Sequence, residues 1–318
     1  MTEELNGKPR LIVMAELEPV TGSAFQPTGF PDLGAAEFER PLGDTAAQQS
    51  LLVESVQSMA NHLEGIGWDM NEDRPVEVLS GLPYVEVRDT DGRFLTSSRL
   101  EPHRLAGAYI KTATVEGKKA GEWMIERLGV EKGKPLDWRS IYEAIFRLDP
   151  LCLLHGVFFS DPQWKDYGNP KIRRALTAVI EAHDVRPVVY GGVKRDDVNP
   201  TVGEGRGAKE GFGFVPFGRT EYTAREIQLI VTMDVEQIRG YGLPPAETAL
   251  LEAIGLWEIR SLLDRPLRLR TACDLEVRSL QVRQPEGFDL PSAEALAEQI
   301  ARTDLRVDEG IPHKAIFK

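Results

Sequence analysis

The order of strand-like and helix-like segments constrains this chain most. Apolar stretches with strand spacing stand beside one another or beside single helical stretches, and no regular strand–helix alternation runs through the sequence. A doubly wound parallel sheet needs that alternation. Its absence predicts an α+β protein, with an antiparallel sheet covered by helices on one face. A length of 318 residues fits one elaborated domain or two.

Residues 10–18 read as a strand, with Leu11, Val13 and Ala15 on one side and Pro19 ending it. Residues 20–43 read as a long loop rich in Gly, Pro and Phe. Residues 45–64 read as a helix, because Thr45 and Gln48 fit a capping box and Leu52, Val56, Met59 and Leu63 form a stripe. Short strands are expected at 76–79 and 84–88, with a turn at Asp91 and Gly92. Residues 102–148 read as an insertion of three helices, at 102–110, 118–128 and 137–148. A buried strand is expected at 151–159. A helix is expected at 170–183, with Asn169 as cap and Pro170 in its first turn. Strands at 185–193, 227–233 and 267–277 and a helix at Pro245–Leu263 complete the core. Residues 201–223 form a second long Gly-rich loop, and loops of this length are usually functional. Residues 289–318 read as an acidic, weakly structured tail with one helix near Ala293–Ala301.

Several function classes drop out. The longest apolar run, 151–159, is interrupted by His155 and Gly156 and is far shorter than a membrane span. The apolar stretch 11–15 is too short for a signal peptide. Cys152 and Cys273 are too few for a disulfide scaffold, so reduced thiols and a cytoplasmic location are expected. Gly203–Gly218 lacks the P-loop pattern and a following helix, the five histidines form no metal-ligand spacing, and no G-x-S-x-G occurs. No cofactor, metal or catalytic cluster is expected.

Charge points in two directions. The net charge of −12 opposes nucleic acid, yet residues 165–225 carry eleven Lys or Arg against eight Asp or Glu. Lys171, Arg173 and Arg174 fall in the first turn of the expected helix, where the dipole disfavours cations. An acid such as Asp161 or Asp166, or a bound phosphate, would compensate them. Residues 210–217 match seven of eight positions of an RNA-recognition signature, departing at Glu210. Pro216 argues against the central strand that signature needs. Phe212, Phe214 and Phe217 beside Arg206, Lys209 and Arg219 suit stacking on single strands, or simply tuck the loop down.

Three blocks carry a resemblance. Phe25-Gln-Pro-Thr-Gly-Phe-Pro-Asp-Leu-Gly34, the stretch from Leu51 to Asn61, and Gly191-Gly-Val-Lys-Arg-Asp-Asp-Val-Asn-Pro200 occur in that order. Together the chain resembles, over about residues 10–280, the backbone subunit of type I-G (formerly I-U) CRISPR Cascade complexes in the RAMP superfamily. The resemblance implies an RRM-like (ferredoxin-like) palm in two parts, 1–101 with its loop 20–43 and 149–288. It also implies helical fingers at 102–148 and a thumb loop at 201–223, ahead of the tail 289–318. It implies partners: guide RNA, further copies in a helical filament, other Cascade subunits, and target DNA through the guide. Implied RNA contacts are Gln26, Phe30, Ser58, Asn61, Lys171, Arg173, Arg174, Lys194, Arg195, Asn199, Arg206, Lys209, Phe212, Phe214 and Arg219. Relatives of other types cleave RNA with a loop aspartate, which keeps open a ribonuclease using Asp196 or Asp197. Those two residues could equally cap the turn before Asn199 and Pro200. A plain small-molecule binder would leave both long loops unexplained.

Overall fold

The computed structural model describes residues 5, 7–30, 34–43, 46–160, 162–194, 198, 215–303 and 312–318. Its base is a seven-stranded sheet in the order Leu267–Arg270, Cys273–Gln284, Arg10–Pro19, Glu226–Asp234, Leu176–His183, Ala46–Glu54 and Glu37–Leu42. Every pairing in it is antiparallel. Arg10–Pro19 is central, and its alternation is strict. Leu11, Val13, Ala15 and Leu17 are buried, while Ile12, Met14 and Glu16 stand half-exposed on the other side. Glu226–Asp234 and Leu176–His183 alternate in the same way.

Helices Val56–Ile66 and Pro245–Leu263 cover the buried face. Pro245–Leu263 is apolar nearly all round, with Leu250, Ile254, Leu256 and Ile259 buried, as befits a helix inside a core. Gly255 allows its close approach to the sheet, since a Cβ there would lie 2.7 Å from Met233 Sδ. The order strand, helix, strand, strand, helix, strand runs through Arg10–Pro19, Val56–Ile66, Leu176–His183, Glu226–Asp234, Pro245–Leu263 and Cys273–Gln284. Among those four strands the last and the third flank the first, and the second lies beyond the third.

A smaller sheet has the order Lys118–Lys119, Thr114–Val115, His313–Ile316, Val85–Arg88 and Phe94–Ser97. Helices Ala108–Thr112 and Ala120–Arg127 pack beside it. The tail closes this sheet, because His313–Ile316 runs parallel to Val85–Arg88. No described helix is long and apolar enough to cross a membrane.

Arg186–Lys194 and Val215–Thr223 form a separate two-stranded arm, in register from Arg186 opposite Thr223 to Lys194 opposite Val215. They continue two main-sheet strands, which pair as far as His183 opposite Glu226. Asp184, at φ 53°, turns the chain between sheet and arm. Nine residues per strand give an arm of about 30 Å.

Helical spacing misleads at two places. The expected helix 170–183 is the strand Leu176–His183, preceded by the short strand Lys171–Ile172. Ile172, Leu176, Val179 and Ile180 fit a helix, but Leu176, Ala178, Ile180 and Ala182 also alternate. Pairing on both sides and the β-branched Thr177, Val179 and Ile180 decide for the sheet. Lys171, Arg173 and Arg174 therefore occupy no helix N-terminus, and the dipole argument for an anion there falls. The expected helix 45–64 divides into the strand Ala46–Glu54 and the helix Val56–Ile66. Its cap is Ser55, whose Oγ accepts from the Ser58 amide at 3.2 Å, and Gln48 lies in the strand.

Other corrections are smaller. Residues 151–159 hold the helix Leu151–His155, ended by Gly156 at φ 80°, because a short apolar run without alternation does not separate helix from strand. Glu77–Leu79 is a 3-10 turn, where a strand was expected. The loop 20–43 contains the edge strand Glu37–Leu42, and the end of the loop 201–223 is the arm strand Val215–Thr223. The strand 267–277 is a hairpin of Leu267–Arg270 and Cys273–Gln284.

Candidate nucleic-acid interface

The arm has two unlike faces. Tyr190, Gly192 and Lys194 share one with their cross-strand partners Arg219 and Phe217. The Phe217 ring lies over Gly192, where a Cβ would meet its Cζ at 3.0 Å. Tyr190 and Phe217 remain 46% and 53% exposed, so two rings stand in solvent on one narrow ribbon. Exposed rings beside a lysine can stack bases and hold a backbone. Arg219 contributes less charge, because its Nη2 lies 2.5 Å from the buried Glu221 carboxylate. Val189, Gly191 and Val193 form the opposite face with Thr220 and Gly218.

The root of the arm is tied to the first long loop. Phe25 and Tyr222 exchange both backbone hydrogen bonds at 2.9 Å. The Tyr222 hydroxyl donates to Glu37, and burial together with that carboxylate pushes the phenol up to about 12. A recess of about 750 Å³ opens here, lined by Gln26, Thr28, Glu37, Thr220, Tyr222 and Arg270. Arg270 donates to the Gln26 carbonyl at 3.0 Å and pairs with the buried Glu54. Gln26 Oε1 is buried without a hydrogen-bond partner among the described residues. Phe30 belongs to the two-residue strand Gly29–Phe30, which pairs with Gly34–Ala35.

A second basic group lies where the chain enters the main sheet. Lys171 Nζ sits 5.1 Å above the exposed Phe158 ring. Arg173 is exposed on a groove shared with Tyr142, Gln237 and Tyr241. Arg174 is half-buried, and its Nε has no hydrogen-bond partner among the described residues. Burial, and then the nearby Arg104, lower its pKa. Arg104 is held by both Glu64 oxygens at 2.6 Å. Glu64 stands on Val56–Ile66, the helix that carries half-exposed Ser58 and exposed Asn61.

The structure thus collects Gln26 at the arm root, Lys194 and Arg219 on the arm, and Lys171, Arg173 and Arg174 at the sheet entry. Arg195, Asp196, Asp197, Asn199, Arg206, Lys209, Phe212 and Phe214 lie outside the described residues. Tyr190, Tyr222 and Arg270 were missed by sequence reasoning. A strand reading of 215–223 would have found Tyr222, which alternation turns inward, whereas Tyr190 lies in the expected strand 185–193, where its outward position went unused. Arg270 carries no local signal; only the fold brings it to Gln26. Both cysteines are buried, and burial holds Cys273 up at about 11, far from a reactive thiolate.

The family model of CRISPR-associated protein GSU0053 matches residues 11–187. Among solved structures, a chain of a CRISPR RNA-guided surveillance complex, pre-nicking, aligns over 86% of this chain and 75% of its own, at 12% identity and TM-score 0.42. Csc2 of Thermofilum pendens aligns over 95% of this chain and 74% of its own, at 12% identity and TM-score 0.32. No curated protein matches the sequence.

Proposed function

This chain belongs to the CRISPR-associated GSU0053 family, and from that premise we propose that it is the non-catalytic backbone subunit of a type I-G Cascade surveillance complex. Copies bind along the guide RNA as a helical filament, contact the other Cascade subunits and leave the guide's bases free to pair with target DNA. Base pairing then supplies sequence, while the protein supplies shape and charge. The main sheet with its strand–helix–strand–strand–helix–strand order is the RRM-like palm, the small sheet and its helices are the fingers, and the arm is the thumb.

The observation that carries this reading is the arm. Two strands anchored in the core run out of the sheet as a paired ribbon that presents Tyr190, Phe217 and Lys194 to solvent. They lead directly into the Gly-rich segment with Arg195, Arg206 and Lys209. Rings and cations on a stiff lever can grip and deflect a single strand without reading its sequence.

Co-expression with a guide RNA tests the reading. The purified protein is expected to carry RNA, by its absorbance ratio, and to run as a multi-copy particle. RNA-free monomer under the same conditions would overturn it. Labelled guide and complementary RNA should stay intact with Mg²⁺ or Mn²⁺. Metal-dependent fragments that vanish in Asp196→Ala or Asp197→Ala would make the protein a ribonuclease instead.

A further inference from the structure

At the end of the main sheet away from the arm, rings and cations alternate along the surface. The strand Leu176–His183 is about 25 Å long, and the arm begins beyond its His183 end. Just before its Leu176 end, Lys171 stands opposite Phe158 in a short hairpin pinned by the buried Ile172. Lys171 Nζ lies 5.1 Å above the Phe158 ring, which is 45% exposed. Arg173, two residues on, is exposed on a groove of about 340 Å³. Tyr142 lines the same groove and stacks on Trp138 at 5.8 Å. Trp138 is 39% exposed. The stripe therefore runs Phe158, Lys171, Arg173, Tyr142, Trp138.

Folding explains only the middle of the stripe. Tyr241 is buried, its ring meets Tyr142 at 4.6 Å, and its hydroxyl donates to the Leu153 carbonyl at 2.7 Å. Phe158 and Trp138, at the two ends, fill no core. The Arg173 backbone is held in place, because Gln237 Nε2 donates to its carbonyl at 2.9 Å. Asp166, one of the acids that would offset these cations, pairs with Lys132 instead. Nearby carboxylates are mostly engaged. Glu143 lies 3.4 Å from Arg139, and Asp234 accepts from the Gln237 amide at 2.9 Å. Glu236 stands exposed on the groove wall, where it repels a phosphate but can accept from the amino group of a base.

Rings and cations in alternation suit a single strand, with bases on the rings and phosphates on the cations. A duplex keeps its base faces stacked inside and gives Phe158 and Trp138 nothing to hold. On the backbone reading the arm already grips the guide, a full strand length away. Pairing of the guide with one DNA strand displaces the other and leaves it single. We propose that the stripe from Phe158 to Trp138 binds this displaced DNA strand. Phe158 and Trp138 stack its bases, and Lys171 and Arg173 hold the phosphates between them. Holding the displaced strand away from its complement opposes their re-pairing. This assignment rests on the backbone reading above and adds a second strand to it.

The test uses the chain loaded with guide RNA, so that the arm is occupied. The probe is a labelled oligothymidine of about twelve nucleotides, within the span of single-strand sites, and the guide lacks adenine runs. The loaded particle should bind this probe, read by fluorescence anisotropy. Lys171→Gln with Arg173→Gln should weaken binding roughly tenfold and flatten its log–log salt slope by about 1.4. Phe158→Ser should weaken it roughly fivefold or more and leave the slope unchanged. Guide content, particle size and melting should match the unaltered chain in every variant. If the loaded particle ignores the probe, or the variants bind it equally well, this assignment fails while the backbone reading stands. If folded variants lose guide RNA, the stripe belongs to the guide's own path, and this assignment fails as well. If the unaltered chain neither keeps RNA nor assembles, the backbone reading itself fails, and this assignment with it.

Discussion

The interior beneath the main sheet and the arm beside it treat charge in opposite ways. Inside, the buried charges of the described core stand in pairs. Arg104 is gripped by Glu64, Ser98 Oγ donates to Asp149 Oδ2 at 2.5 Å with Arg99 3.8 Å away, and His155 Nε2 lies 2.9 Å from Glu258. All of these side chains are buried. On the arm, Lys194, Tyr190, Val189 and Phe217 stand in solvent. Buried pairs lose hydration and keep their place only through good geometry, so they belong to folding. Exposed rings and valines cost little in folding but gain nothing from it, so their reason lies in a partner. Melting should therefore report on the first region and binding on the second.

The largest expected effect breaks that division from inside. Glu64→Ala would leave Arg104 buried without its carboxylate and facing the half-buried Arg174. A loss of about 3–5 kcal/mol is expected, read by chemical denaturation. Lys194→Ala should stay within about 0.5 kcal/mol. Equal stability of both variants would erase the contrast between the two regions.

A pair of truncations sharpens it next. Replacing residues 188–219 by a short Gly-Ser turn keeps Tyr222 and its pairing with Phe25. The protein should melt normally yet fail to assemble with guide RNA. Replacing residues 201–223 instead removes the buried Glu221 and Tyr222 and should lower the melting temperature as well. Identical melting of the two truncations would mean that the arm root adds nothing to the core.

Part of this design was legible in the sequence. Strict alternation in Leu11, Val13, Ala15 and Leu17 marked the central strand, and Pro245–Leu263 was readable to the residue because Pro opens it and a full apolar surface follows. The α+β antiparallel class followed from segment order. What stayed hidden depended on partners far along the chain. Leu176–His183 carries both periods, and only strands from residues 46–54 and 226–234 choose between them. The same limit governs the site. Lys171, Arg173 and Arg174 stood out by composition, but that Arg174 lies near Arg104 and Glu64 depends on the folded chain. The tail strand His313–Ile316 pairs with Val85–Arg88, more than two hundred residues earlier, and nothing local announces it.

Salt dependence gives a smaller, graded effect on the arm side. If Lys194 and Arg195 touch phosphates, RNA binding should weaken with salt at a log–log slope of roughly 0.7 per contact. Replacing both with Ala should flatten the slope by about 1.4, measured by fluorescence anisotropy across a salt series. An unchanged slope would remove both residues from the interface and leave the rings of Tyr190 and Phe217 as the arm's contribution.

The smallest expected effect is a pH dependence confined to the interior. Burial alone would lower the His155 pKa. The Glu258 carboxylate, with Glu64 behind it, outweighs burial and holds the imidazole above its usual range. Its stabilising contribution is therefore complete below about pH 6.5 and is lost as pH rises through the folded value. Glu258 is raised by burial, so its contribution also fades as pH rises. The two signs agree, and neither group reaches the arm. Replacing the pair by His155→Gln with Glu258→Gln removes both titrations while keeping hydrogen-bonding groups of similar size. Between about pH 6 and pH 9 the unaltered protein should lose more melting temperature than the double variant. RNA affinity at low salt should change equally in both proteins over that range. Parallel melting curves would show that the pair does not titrate there, and a divergence in RNA affinity would show that the interior and the arm are coupled.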